Sequence, residues 1–407
     1  MLKPSDFDRR GFLRALGAGA LSVGAGLPAR LLHGSPGSVE SILAGRPMVR
    51  YPEKTDLILL TSRPPQLETP MHYFKSVITP NDAFYVRYHI PPPTHVDLNT
   101  WRLKIGGHVR QPLSLSMEDL RGRFTAQKVI AVNQCSGNSR GLFSPRVMGG
   151  QWGNGAMGNA SWTGVSLRDL LDKAGLKEGA VDVSFNGLDQ PVLPTTPDLV
   201  KSLPLDHIQN RPEVLIAYEM NGQPIPMLNG FPARLVVPGW YGTYWVKNLS
   251  DITVHDQKFQ GFWMRIAYRI PDNACACVPP GSMPSATVPI NRLDVRSFII
   301  SPAEGASIQA RRPTTIQGIA FDGGYGISDV TISSSGGKTW QSAKLAPEIG
   351  RYSFRQWTLE WTPPRSGTYT LMARATNRIG QSQPMNPKWN PAGFMRNVVE
   401  RVSVRVD

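Results

Sequence analysis

The stretch Asn133-Gln-Cys-Ser-Gly-Asn-Ser-Arg-Gly-Leu-Phe143, taken up again by Gly149-Gly-Gln-Trp-Gly-Asn-Gly-Ala-Met-Gly-Asn-Ala-Ser-Trp162, constrains this chain more than any other. A segment so dense in glycine brings little core of its own. It lets backbone N–H groups come close to a ligand, because no Cβ blocks the approach. The preceding Lys128-Val-Ile-Ala-Val132 reads as a buried strand, so Cys135 falls just past a strand end, where functional side chains commonly project. The cysteine has two readings: a buried structural thiol, or a thiolate holding a soft metal centre. The residues alone leave both open.

At 407 residues the chain is long enough for two domains with cores of their own. Its 41% hydrophobic and 18% charged content is that of a globular protein, and 39 Gly and 36 Pro predict many turns and more sheet than helix. The net charge of +14 raises the question of an anionic partner. No basic run interleaved with aromatics is present, which argues against nucleic acid and leaves an anionic substrate, an anionic cofactor tail or an acidic redox partner. The cysteines are Cys135, Cys275 and Cys277. A bridge between Cys275 and Cys277, one residue apart, is expected to be strained, and the pair is assigned no chemistry. Zinc motifs are absent, and without Cys-x-x-Cys-His the chain carries no covalently attached haem.

Along the chain, Asp8-Arg-Arg-Gly-Phe-Leu-Arg14 followed by the apolar Ala15 to Leu27 resembles a twin-arginine export signal, with cleavage expected near Ala29. The apolar run is too short to span a membrane. Residues 30–65, rich in Gly, Ser and Pro, read as an extended lead-in. Ala83 to Ile90 alternates like a strand that Pro91-Pro-Pro93 must end, which puts Arg87 and His89 on one face. Helices are expected from Ser116 to Arg123 and from Ser166 to Gly175, each with an N-cap serine. Strands are expected at 181–185, 214–218 and 234–238. From about residue 290, short strands separated by Gly, Ser and Pro turns predict an antiparallel sandwich.

Cys135-Ser-Gly-Asn-Ser-Arg140 followed by Gly150-Gln-Trp-Gly-Asn-Gly-Ala156 resembles the molybdenum-ligand loop of the sulfite oxidase family, most closely its bacterial sulfite dehydrogenases. The resemblance implies Cys135 as the only protein ligand to molybdenum, the other sulfurs coming from the dithiolene of a molybdopterin. Phe84-Tyr-Val-Arg-Tyr-His89 is also similar to the family, which implies cofactor contacts at Tyr85, Val86, Arg87, Tyr88 and His89, the arginine lying at the substrate site. By the same resemblance Asp189 meets the pterin, and Arg234 and Lys247 surround its phosphate, with Trp245 and Val246 alongside. A buried phosphate needs such charge-assisted donors. Asn229 stands where animal members have histidine, and Tyr268 where bacterial members keep an active-site tyrosine.

The implied fold is α+β. A mixed α/β molybdopterin domain over residues 66–285 comes after the signal (1–29) and lead-in, and an all-β immunoglobulin-like sandwich over 290–407, often used for dimerisation, completes the chain. The implied activity is periplasmic oxidation of sulfite to sulfate, with Arg87 and Arg140 clamping the substrate oxygens and Tyr268 hydrogen-bonding nearby. Electrons would leave singly to a c-type cytochrome or haem subunit. The alternative is the molybdenum subunit of a thiosulfate-oxidising complex, acting on protein-bound sulfane sulfur. A reading from a different class, a binding module with an incidental cysteine loop, predicts no molybdenum in the purified protein.

Overall fold

The computed structural model describes residues 39–407; the signal and cleavage site lie outside them. The residues from 48 on that were expected as an extended lead-in instead build a sheet: Met48–Arg50, Asp56–Ser62, Pro65–Glu68 and Val86–Arg87 pair antiparallel in that order. Hydrophobic residues Leu57 and Leu67 close over Val86 and Tyr88 in a small cluster, which explains why the segment does not stay loose. The strand expected over 83–90 is correspondingly short, Val86–Arg87 alone.

The centre of the molecule is the antiparallel pair Ala126–Gln134 and Met157–Ser166, in register from Ala126 opposite Val165 to Gln134 opposite Met157. Leu215–Met220 extends it, paired with Met157–Ser166 on one side and Arg234–Val236 on the other. Trp162, fully buried, packs edge-on against Phe84 and Trp245 at 5.9 and 5.6 Å. Burying a large apolar side chain contributes about 1.5–3 kcal/mol, so these rings lock the segments around Phe84 and Trp245 onto the central sheet. A second sheet orders Lys201–Pro204, Asp182–Gly187, Leu249–His255, Leu103–Gly107 and Leu113–Leu115, with one parallel pairing, between Leu249–His255 and Leu103–Gly107.

Both expected helices form. Met117–Arg123 has a full capping box between Ser116 and Asp119. Leu167–Ala174 begins after Ser166 and ends at Gly175 (φ 67°), but the Ser166 hydroxyl makes no cap bond; its Oγ is buried without a partner among the described residues.

The C-terminal strands form two sheets. Arg296–Ser301, Thr314–Phe321, Arg355–Trp361 and Lys344–Leu345 make one, and Ser307–Ile308, Arg401–Val406, Gly367–Asn377, Ile327–Ser333 and Gln341–Ser342 the other. Ile316 and Trp357 of the first share a core with Val330, Leu371 and Val404 of the second. The opposite face of the first sheet is buried too, since Phe298, Ile319 and Phe321 join the large core that contains Trp162 and Cys135. Among the described residues no helix is long and apolar enough to cross a membrane.

Candidate active site

Residues 135–156 connect the two central strands, so Cys135 stands directly at a strand end. It is 8% exposed and its thiol is free. Its N–H donates to the Ala156 carbonyl at 2.9 Å and its carbonyl accepts from Asn138 N at 3.0 Å, which fixes the turn on both sides. The far arm of the loop is tied down by Glu68, whose carboxylate accepts from Gly153 N (2.9 Å) and Gly155 N (2.8 Å). Burial pushes the Glu68 carboxyl up to about 6, against the pull of these donors.

A cleft opens beside Cys135, with about 580 Å³ of atom-free space, part of it open to solvent. Tyr85, Arg87, His89, Cys135, Asn229, Arg234, Trp245, Val246, Lys247 and Tyr268, drawn from segments far apart in sequence, all line it. Phe84 and Tyr85 line it together with Arg87 and His89, so simple two-residue alternation does not hold through 84–89, where most of the backbone is not strand. Val86 and Tyr88 turn into the Leu57/Leu67 cluster instead. Arg140 and Asp189 are buried close by without lining the cleft.

The cleft is cationic. Arg234 donates through Nη1 to Asn229 O (2.7 Å) and through Nη2 to Trp245 O (3.1 Å), and burial lowers it to about 10. Lys247 donates to Arg87 O at 2.6 Å and lies 3.9 Å from the Tyr88 ring centroid. Burial holds Lys247 well below the usual lysine range, with Arg234 adding to the effect and Asp189 opposing it, while burial raises Asp189. Arg140 donates from Nε to Ala392 O (3.1 Å) and from Nη1 to Gly150 O (3.3 Å). Its guanidinium fills a slot that only glycine leaves open: a Cβ on Gly137 would lie 2.5 Å from Arg140 Cζ, and one on Gly149 (φ 109°) 2.9 Å from Nη1. Burial lowers the Arg140 pKa while the nearby Cys135 and Tyr268 raise it.

Tyr268 has φ 54°, uncommon for a bulky residue and often found where function demands it. Its hydroxyl lies 2.5 Å from His89 Nε2. Burial first, then the charges of Arg87, Lys247, Lys201 and Arg140, hold His89 well below its usual pKa, so the imidazole is neutral near pH 7.

Sequence reasoning missed several of these partners. Phe394 stacks on Tyr268 (5.2 Å, 2° between planes) and lies under Arg140 (5.1 Å), bringing the C-terminal segment to the site wall. Lys54, lowered to about 7 by burial, donates to Asn229 Oδ1 and to the carbonyls of Asn81 (2.7 Å) and Phe84 (3.2 Å). Lys201, also lowered to about 7 by burial, donates to Trp263 O (2.7 Å) between the Tyr244 and Tyr268 rings. Nothing in the local sequence marks either lysine. Cys275 and Cys277 are bridged with their Cα atoms 5.1 Å apart, and the turn between them puts Ala276 at φ 50°, a left-handed geometry uncommon outside glycine.

Residues 89–263 match the family model for an oxidoreductase molybdopterin binding domain, and 287–407 that for a Mo-co oxidoreductase dimerisation domain. The sulfite oxidase of Gallus gallus is 33% identical over 366 residues, covering 86% of this chain and 78% of that protein. The chain belongs to the sulfite oxidase family. The Arabidopsis thaliana sulfite oxidase is 32% identical, covering 81% of this chain and 89% of its own length. Against the mitochondrial sulfite oxidase of Homo sapiens identity is 36%, and the chain spans 63% of that protein's length. The crystal structure of the sulfane dehydrogenase SoxCD from Paracoccus pantotrophus superposes with a TM-score of 0.74 at 25% identity, covering 94% of this chain and 93% of that one.

The cofactor of this family member is molybdenum–molybdopterin, and the second family model supports a homodimer. The cleft fits that cofactor. Arg234 Nε, Asn133 Nδ2 and Ser136 Oγ are buried there without partners among the described residues. A buried donor left unmet costs about 1–3 kcal/mol, and a phosphate and pterin supply the missing acceptors. Among the described residues no three or more His, Cys, Asp or Glu are placed to hold a metal by themselves, so a metal beside Cys135 must bring its other ligands with it.

Proposed function

We propose that this chain oxidises sulfite to sulfate in the periplasm, passing electrons singly to a c-type cytochrome. One observation carries the reading: a free, buried thiol beside several buried cations, in a cleft that no Asp or Glu lines among the described residues. Such a cleft is built for anions. Cys135 would be the metal's protein ligand, and Arg234, Lys247, Asn229, Tyr85, His89 and Trp245 would hold the pterin and phosphate. When bound, the molybdenum–molybdopterin group supplies oxygen-atom transfer and takes up two electrons.

Arg87 on the cleft wall, with Arg140 buried behind it, would hold the sulfite oxygens and direct the sulfur lone pair into the cleft, an orientation that removes much of the entropic barrier. Sulfite and water give sulfate, two protons and two electrons, and Tyr268, hydrogen-bonded to the neutral His89, is assigned a hydrogen bond to the substrate. The catalytic part is assigned to residues 66–285, and the C-terminal pair of sheets, read as an immunoglobulin-like sandwich over 290–407, to the dimer contact. The likeness to SoxCD favours a second reading, protein-bound sulfane sulfur as substrate. Steady-state oxidation of sulfite with cytochrome c, against a molybdenum-free control, tests the first: turnover only in the loaded protein is expected, and no turnover would overturn it.

Export is assigned to the twin-arginine route. Arg9→Lys with Arg10→Lys is expected to leave folded enzyme in the cytoplasm, checked by cell fractionation; mature protein still reaching the periplasm would refute the assignment.

A further inference from the structure

We infer that Arg296, in the first strand of the C-terminal sheets, is a positioning residue for the cysteine loop. It is 1% exposed. Its Nη2 donates to Ser139 Oγ at 2.6 Å and to Glu400 Oε1 at 3.1 Å, and Arg396 donates to the same carboxylate oxygen. The Ser139 hydroxyl in turn donates to Asn154 Oδ1. From there the bonds run on: Asn138 Nδ2 to Asn154 O (3.1 Å), Ala156 N to Asn138 Oδ1 (3.0 Å), and Cys135 N to Ala156 O (2.9 Å). One guanidinium is thus linked by consecutive hydrogen bonds to the backbone of Cys135.

Ser139 has φ 67° and ψ 19°. Serine has no intrinsic preference for this left-handed geometry, so it persists where surrounding contacts over-determine it. Two contacts do so: Ser139 N donates to Gly153 O at 2.7 Å, and its hydroxyl is held between Arg296 and Asn154. The turn at Ser139 sets the direction in which the next residue, Arg140, leaves the chain. A charged donor gives a stronger bond than a neutral one, and Glu400 and Phe298, whose ring centroid lies 4.3 Å from Arg296 Cζ, keep that donor in place. The function of Arg296 is to hold Ser139 left-handed, and through it to aim Arg140 and seat Cys135. This rests on the sulfite reading only for its kinetic arm.

The test is a double-mutant cycle on molybdenum-loaded enzyme: Arg296→Gln, Ser139→Ala, both together, and Arg296→Lys. Each single change is expected to lower kcat/KM for sulfite by about tenfold or more, mostly through KM, because Arg140 loses its aim. The double variant should be no worse than the weaker single, and Arg296→Lys should recover part of the loss. Losses that multiply, or unchanged kcat/KM with only a lower Tm, would show a merely structural role and overturn the inference. Amide hydrogen exchange of residues 135–142, measured without substrate, gives the independent arm. Faster exchange in both singles supports the inference, and wild-type protection in Ser139→Ala overturns it even if Arg296→Gln fails to fold. If the wild-type enzyme does not oxidise sulfite, the functional reading fails while the exchange arm still decides this one.

Discussion

Arg234 in the cleft and Arg296 at the junction with the C-terminal sheets are both fully buried, and burial lowers both to about 10. They differ in what faces them. Arg296 has a carboxylate, Glu400, which Arg396 shares. Arg234 has no ion pair among the described residues; it has two carbonyls and tryptophan rings. Both keep buried guanidinium nitrogens without a partner among the described residues, Nε on Arg234 and Nε and Nη1 on Arg296. A buried charge without a counter-ion costs several kcal/mol, on the order of what removing one partner of a buried pair exposes. Among the described residues the junction therefore has an internal counter-ion, shared between two arginines, whereas no carboxylate pairs with Arg234 in the cleft. That contrast separates a structural arginine from a ligand-binding one where burial and pKa do not.

The change expected to disturb the cleft most removes the thiol itself. Cys135→Ser keeps an oxygen but loses the soft sulfur that suits molybdenum. Sulfite turnover should be nearly abolished with pterin still bound, checked by assay and by pterin fluorescence; retention of most activity would break the ligand assignment. Next in size is the pair that tests the contrast directly. Glu400→Gln strands Arg296 and Arg396, and should lower stability by about 3–5 kcal/mol whether or not cofactor is present. Arg234→Met should empty the cleft of cofactor while moving the stability of the cofactor-free protein far less. Chemical denaturation and molybdenum analysis of both variants decide the matter, and a similar loss of cofactor-free stability in the two would erase the distinction.

The substrate side comes third. Arg87→Gln or Arg140→Gln should cut kcat/KM for sulfite by about ten- to a hundredfold, since a charged hydrogen bond contributes about 1.5–3 kcal/mol. Molybdenum content should stay normal, because neither side chain is assigned as a ligand. Wild-type kcat/KM in both would mean that the two arginines only shape the cleft.

The smallest effect is a slope with pH. Burial depresses Lys201 from 10.5 to about 7. Between these values the unfolded chain holds a proton that the folded one has released, so stability rises as pH rises from about 7 towards 10.5. Lys201→Met should flatten part of that rise in the cofactor-free protein, Lys54 retaining its own share. Calorimetry across the range reads it, and an unchanged slope would show that Lys201 keeps its proton in the fold.

The cysteine loop, the helix with the Ser116–Asp119 capping box and the C-terminal strands were legible in the sequence because each depends on short-range chemistry. Glycine density, a cap three residues from its partner and two-residue alternation are all written locally. The resemblance of the loop to the sulfite oxidase family likewise needs only contiguous residues. The same local view misjudged Ala83–Ile90 as one strand, since the alternation there reports burial of Val86 and Tyr88 in the Leu57/Leu67 cluster rather than pairing along its length.

What only the tertiary structure decided is which buried cations have a counter-ion. Lys54 reaches Asn229, Phe394 packs against both Tyr268 and Arg140, and Arg296 meets Ser139 across widely separated parts of the chain. No periodicity records such meetings. The energy of a buried charge depends on the dielectric and the partners that the whole fold places around it, and so the sequence names the lysines and arginines while the packing assigns them their roles.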